Sequence, residues 1–218
     1  MDMPNGKELQ DQQISQYDQD WDSYMNNVNN TIGSFFIDLG LAKIAPVADK
    51  SNLVWIDVTM QNPRENGLSD DAERDLLFEI EDEIVNNIFK KHNAIFAGRL
   101  TSAGLRTLYF YLEDISTFES TFAQSMAKYP SYKYEFGCKE DKDWEIYFNF
   151  LYPTPEQYQI IMNLKVIRTL EKYGDNLTSE RMVDHWIYFQ NEVDMENYVS
   201  EVSENSFQVL DKNKTDKT

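Results

Sequence analysis

Leu53-Val54-Trp55-Ile56-Asp57-Val58-Thr59-Met60 decides how the rest of the chain is read. Successive side chains of a strand point to opposite faces, so Leu53, Trp55, Asp57 and Thr59 share one face and Val54, Ile56, Val58 and Met60 the other. The second set is wholly apolar and has to be covered. A helix that could cover it follows the turn-like Asn62-Pro63-Arg64-Glu65-Asn66-Gly67. Ser69 is expected to open this helix, Asp70 and Asp71 stand in its first turn, and Lys90 and Lys91 close it, as the helix dipole favours. Leu76, Leu77, Ile80, Ile84 and Ile88 form its apolar stripe. Asp75, Glu79, Asp82 and Glu83 lie mostly on the other sides and give water an acidic surface.

Further along, Ala94 to Thr101 and Leu105 to Leu112 read as a hairpin around Ser102-Ala103-Gly104. Ser116 and Glu119 form an S-x-x-E capping box for a second helix carrying Phe118, Phe122, Met126 and Tyr129. Tyr132, Tyr134, Phe136 and Cys138 then alternate with polar residues. Trp144, Ile146, Phe148 and Phe150 do the same after an acidic turn at Glu140 to Asp143, which predicts a third hairpin with one aromatic face. Upstream, Asp22 to Val28 and Ser34 to Gly40 are extended segments joined by Asn29-Asn30-Thr31-Ile32-Gly33. The order strand, helix, two strands, helix, two strands predicts an α+β fold: a ferredoxin-like split β-α-β layer with extra strands, its helices packed on one sheet face.

Tyr152-Pro153-Thr154-Pro155 breaks the strand pattern and sets the domain boundary. The expected organisation is an arm over residues 1–20, an α+β domain over 21–152, and a second module over 153–218. Thr154, Pro155 and Gln157 open a helix whose stripe is Ile160, Ile161, Leu164, Ile167 and Leu170, ended by Gly174. Met182 to Gln190 reads as a strand. Asp194 caps a short helix with a Val193 to Tyr198 staple, Phe207 to Leu210 is a last strand, and a polar tail follows. This part therefore adds a helix and a partial β-α-β unit.

Composition narrows the functional classes. The 218 residues carry 20 basic and 38 acidic side chains, a formal charge of −18, with 14% aromatics. So much apolar material predicts folding, and so much negative charge works against direct nucleic-acid binding. It favours a basic protein segment as partner. Cys138 is the only cysteine; with no secretory signal at Met1-Asp2-Met3-Pro4 and no apolar run of membrane-spanning length, a cytoplasmic protein that does not enter membranes is expected.

Two resemblances are carried by particular residues. Trp21 and Tyr24, Phe35-Phe36-Ile37-Asp38-Leu39, Asn66-Gly67-Leu68, Ala97-Gly98-Arg99-Leu100-Thr101, Gly104-Leu105-Arg106 and Tyr109-Phe110-Tyr111 resemble the bacterial family known as domain of unknown function 695, over about residues 21–152. Arg181-Met182-Val183-Asp184-His185-Trp186-Ile187-Tyr188-Phe189, a short helix and Phe207-Gln208-Val209 resemble the first half of the regulator of ribonuclease E activity B family, over about 174–210. That resemblance implies binding to ribonuclease E or a counterpart. The family repeats a strand-helix-strand unit of which one copy is read here, so the unpaired strand edge is expected to pair with the first domain or, in a homodimer, with another copy of the chain.

No catalytic centre, cofactor loop or metal motif is read. G-x-G-x-x-G and G-x-x-x-x-G-K-[ST] are absent, as are C-x-x-C and H-x-x-x-H. His92 at a helix end suits the dipole, and Cys138 is expected as a small buried side chain on an aromatic strand face. His185 stands beside Asp184 and Tyr188 in sequence. The candidate partner-binding residues are Asp75, Glu79, Asp82, Glu83, Asp184, His185 and Tyr188, and the reading is of a noncatalytic interaction protein. An enzyme with a carboxylate pair assembled from distant segments is the alternative, as is a structural arm for homodimerisation.

Overall fold

The computed structural model of the chain describes residues 17–180, 182, 184–203 and 208–213. Most of the arm, Arg181, Val183, Phe207 and the end of the tail lie outside them. The chain divides into two compact units, the first ending at Tyr173 and the second beginning at Gly174.

The first unit is an α+β structure around a six-stranded sheet. Its strands are β1 (Trp21–Val28), β2 (Thr31–Asp38), β3 (Asn52–Thr59), β4 (Ala94–Ser102), β5 (Leu105–Leu112) and β6 (Tyr134–Glu140), ordered β1-β2-β4-β5-β3-β6 with every neighbouring pair antiparallel. Helix α1 (Asp71–Lys91) joins β3 to β4 and helix α2 (Phe118–Met126) joins β5 to β6. The first hairpin is tighter than its sequence implied. Asn29 and Asn30 both take positive φ, giving a two-residue turn with a twist matching the strands, so β2 begins at Thr31. Where β4 bulges between Phe96 and Gly98, Gly98 has φ of 146°, and a β-carbon there would lie 2.4 Å from the Phe36 carbonyl oxygen.

The alternation of β3 is realised. Val54, Ile56, Val58 and Met60 are buried beneath α1 and α2 with Phe96, Leu108, Phe110 and Leu112, and α1 contributes Leu77, Ile80, Ile84, Val85, Ile88 and Phe89. Leu76, expected in that stripe, points outward. The α1 cap is Asp70, whose carboxylate accepts from the Ala72 N–H at 2.7 Å, rather than Ser69. The expected Ser116/Glu119 capping box does not form: Thr117 precedes α2 without a side-chain cap bond, and the Ser116 amide and hydroxyl are turned back to Asp114.

The other sheet face is not bare of helices. Phe35, Ile37, Leu53, Ile95, Tyr109 and Tyr111 are covered there by Trp144, Tyr147, Leu151 and Ile161. Trp144 to Phe150, expected as a strand, is followed through as a helical run over 145–151 that ends in a π-type turn, Tyr147–Leu151. The reason is the buried Asp141, which accepts from the Glu145 and Ile146 N–H groups at 3.0 and 3.1 Å and from the Tyr111 hydroxyl at 2.7 Å. A carboxylate held by the first amides of a segment starts a helix, and Trp144, Tyr147 and Leu151 then share its buried side. Tyr111 stacks on Trp144 at 3.9 Å. Deprived of the expected hairpin partner, β6 pairs with β3 and forms a sheet edge.

Helix α3 (Pro155–Lys172) has the full Thr154/Gln157 capping box. The sequence put a boundary at Pro153, whereas α3 lies within the first compact unit. Ile161 joins the core, Lys165 reaches Asp20 at 2.5 Å, and Arg168 meets both Asp22 oxygens at 3.2 Å. Of the rest of its predicted stripe, Leu170 is half-buried, while Ile160 is 58% exposed, Leu164 39% and Ile167 40%.

In the second unit, helix α4 (Glu192–Ser203) is opened by Asn191, which accepts from the Asp194 N–H at 2.9 Å and donates to the Asp194 carboxylate at 2.7 Å. Asp194, expected as the cap, therefore stands inside the helix. The described residues of 182–190 and 208–210 form no strand, and α4 has no buried residue among those described.

Candidate functional site

The seven candidate residues fall into two groups. Asp75, Glu79, Asp82 and Glu83 share α1, and Asp184, His185 and Tyr188 share an exposed irregular segment of the second unit. Asp75 is exposed, but the other helix acids are engaged. Glu79 accepts from the Tyr129 hydroxyl at 2.9 Å, and Glu83 accepts from Asn87 and Lys128, each at 2.7 Å. Lys128 and Asn87 hold the Glu83 carboxyl below its ordinary range. Desolvation pushes Asp82 upward while Arg99 pulls it back. Much of this surface charge is thus spent tying α1 to the segment that follows α2.

Below the helix lies an ionic cluster that the sequence did not reveal, since Glu79-Ile80-Glu81-Asp82-Glu83 reads as a solvated run. Glu81 is buried and meets Arg99 at 2.6 Å and Arg106 at 3.3 Å. The Arg99 guanidinium lies over the rings of Phe36 and Phe78, at 4.4 and 4.8 Å, and Arg106 lies over Phe78 at 4.7 Å. Burial pushes Glu81 up against the pull of both arginines and holds Arg106 down to about 10. Held by both arginines, Glu81 joins the helix to β4 and β5, so the cluster fixes α1 on the sheet.

His92 is a joint between helices rather than a base. Its Nε2 lies 3.0 Å from the Thr121 hydroxyl, and burial depresses its ionisation. Cys138 is exposed, not buried, because β6 is an edge strand.

A cleft of about 360 Å³ opens on the sheet face opposite α1 and α2, against the 145–151 run. Its floor carries Trp55, Asp57, Thr107 and Tyr109, and Ile146 and Phe150 form a wall. Trp55 opposes both Tyr109 and Gly137 across the ladder, and its indole lies on Gly137 so closely that a β-carbon there would come within 2.1 Å of the ring. Asp57 opposes Thr107 and Glu135. The Thr107 hydroxyl donates to Asp57 Oδ1 at 2.6 Å; desolvation, reinforced by Glu135, pushes the carboxyl upward. Asp57 stood on the mixed face of β3 in the sequence, but its cross-strand companions came from registers that no local pattern encodes. A larger hollow of about 720 Å³ at one end of the sheet is lined by turn residues such as Asn30, Pro63 and Gly104, and its Arg64 is committed to Asp71.

Fold and clefts together define an α+β protein whose antiparallel sheet is covered on both faces. Residues 19–152 match the family model described as a family of unknown function, DUF695. This match spans more than half of the chain, and the chain belongs to that family. Residues 160–218 match the model described as regulator of ribonuclease activity B. The second match begins inside α3, so the helix that closes the first compact unit is also the first element of the regulator-like region. Comparison with curated proteins finds no match, and comparison with solved structures finds none. No helix among the described residues is long and apolar enough to cross a membrane.

Proposed function

We propose that this protein is a noncatalytic regulator that binds a ribonuclease by protein–protein contacts. The observation that carries this reading is the match of residues 160–218 to the regulator of ribonuclease activity B family. Two physical features support it. Within that region α3 turns Ile160, Leu164 and Ile167 outward, one apolar stripe at helical spacing on a helix already anchored through Ile161. The net charge of −18 favours a basic partner over an RNA. Ribonuclease E is the partner implied by family resemblance, in a cytoplasmic setting consistent with a single cysteine. The connectivity β3-α1-β4-β5-α2-β6 with strand order β4-β5-β3-β6 supports reading the core as a ferredoxin-like layer extended by β1 and β2. The test is capture of purified ribonuclease E on the immobilised full chain at low and high ionic strength. Salt-sensitive capture is expected, because screening weakens surface attraction; no capture at either salt overturns the reading.

One observation favours an enzyme instead: Asp57 and Glu135 are carboxylates brought together from distant segments, and burial disturbs the ionisation of the first. Under that reading, substitution of either acid abolishes a turnover that the regulatory reading does not require.

A further inference from the structure

We propose that the cleft between the β3–β5–β6 face and the 145–151 run receives a single arginine side chain from a protein partner. The assignment rests on the regulatory reading for the partner being a basic protein; the chemistry of the cleft selects the residue.

Asp57, half-buried on the floor of the cleft, is less fully engaged than the buried carboxylates Asp38, Asp141, Glu73 and Glu81. Asp38 accepts from the Tyr17 hydroxyl and the Asp20 and Gly40 amides. Asp141 likewise has three donors, Glu73 accepts from the Gln61 and Asn62 amides and the Tyr132 hydroxyl, and Glu81 has two guanidiniums. Asp57 has one hydroxyl donor, on Oδ1, and its Oδ2 accepts nothing from the described residues. A carboxylate half withdrawn from water, with one oxygen held by Thr107 and the other open to the cleft, is a place for a donor from outside.

The surroundings select a planar cation. One face of the Trp55 indole is spent on Gly137. Phe150 stands against Tyr109 with ring centroids 6.4 Å apart and closes the opposite side. A guanidinium is flat, weakly hydrated and able to stack on a ring while forking to a carboxylate, whereas an ammonium is a compact, strongly hydrated point charge. Glu135, directly across from Asp57, adds a second negative group. An anionic ligand meets these two acids, and a neutral one leaves Asp57 as it is. Lys139 lines the other end of the cleft, four ladder rows from Glu135 and opposite Leu53, and disfavours a run of cations. One arginine fits this pattern; a polybasic stretch does not.

The probe is a short capped glycine–serine peptide with one central arginine, titrated into the ¹⁵N-labelled full chain beside its lysine and citrulline counterparts. The Trp55 indole and Gly137 amide signals are expected to move with the arginine peptide. Citrulline, which keeps the plane and loses the charge, is expected to bind about tenfold more weakly or worse, as loss of a charge-assisted hydrogen bond implies. Asp57→Asn should weaken the arginine peptide by a similar factor, and Lys139→Glu, at an exposed edge position, should strengthen it. Equal binding of citrulline and arginine, shifts confined to α1, or full affinity in folded Asp57→Asn each overturns the assignment. Ribonuclease E capture separates the two levels. Undiminished capture by Asp57→Asn removes the cleft and leaves the regulator; arginine-selective binding by a chain that captures no ribonuclease keeps the cleft and removes that partner.

Discussion

Glu81 holds Arg99 at 2.6 Å beneath helix α1, with both side chains largely withdrawn from water and Arg106 on the other carboxylate oxygen. Replacing Glu81 with Gln leaves two guanidiniums beside Phe78 without their shared carboxylate. Breaking a buried pair from one side costs about 3–5 kcal/mol. Urea unfolding of Glu81→Gln at neutral pH should show a loss of that order. Glu81→Leu combined with Arg106→Met should recover part of it, since fewer uncompensated charges stay buried.

Trp55 rests on Gly137, and Gly137→Ala drives a methyl into the indole. Overpacking of this kind costs about 1–3 kcal/mol. The near-ultraviolet circular dichroism of the folded variant should change as the ring is displaced, and a spectrum identical to the parent would show that the indole does not lie there.

Asp141→Ala removes the acceptor shared by Tyr111 and the first amides of the 145–151 run. With buried donors left unsatisfied, the expected loss is about 2 kcal/mol or more. Tryptophan emission should shift to longer wavelength as Trp144, now fully buried, gains access to water.

These last two sites also show why the sequence was readable only in part. Strands β1 to β5 and helix α1 follow from local period and turn residues. Trp144 to Phe150 satisfies two periods at once, since 144, 146, 148 and 150 alternate like a strand while 144, 147 and 151 repeat like a helix. Asp141 decides between them through its bond to Tyr111, thirty residues away. Cys138 and the rings of Tyr134 and Phe136 were expected in a core because the missing hairpin strand would have made β6 internal; as an edge it leaves all three exposed. The acids of α1 were legible as a helix surface, but their partners Tyr129 and Lys128 come from beyond α2. Asp57 was legible as a lone acid on a mixed face, and the cleft around it exists only once β3, β5 and β6 are in register.

Burial raises the Asp38 and Asp57 carboxyls above their ordinary value of 3.8. An acid whose ionisation is harder in the folded state favours folding most when protonated, below the unfolded value, and that contribution is lost as pH rises through the folded value. Relief of repulsion among 38 acids acts in the same sense. Between the unfolded value of 3.8 and the raised folded values, the thermal midpoint should therefore fall as pH rises, before the depressed ionisation of His92 acts in the opposite sense nearer its ordinary value of 6.5. Asp38→Asn, which keeps an acceptor for the Asp20 and Gly40 amides, should flatten that slope. A midpoint that rises with pH over this interval would contradict it.

The regulatory claim meets its most direct test in the rate at which ribonuclease E cleaves a fluorescent RNA in the presence of the full chain and of its Leu164→Asp/Ile167→Asp variant. The account predicts inhibition by the parent chain and a loss of inhibitory potency of about tenfold or more in the variant, as for removal of central apolar anchors, with thermal unfolding unchanged because both side chains already face outward. A cleavage rate that the parent chain leaves untouched at any concentration, or a variant that inhibits as strongly as the parent, would contradict it.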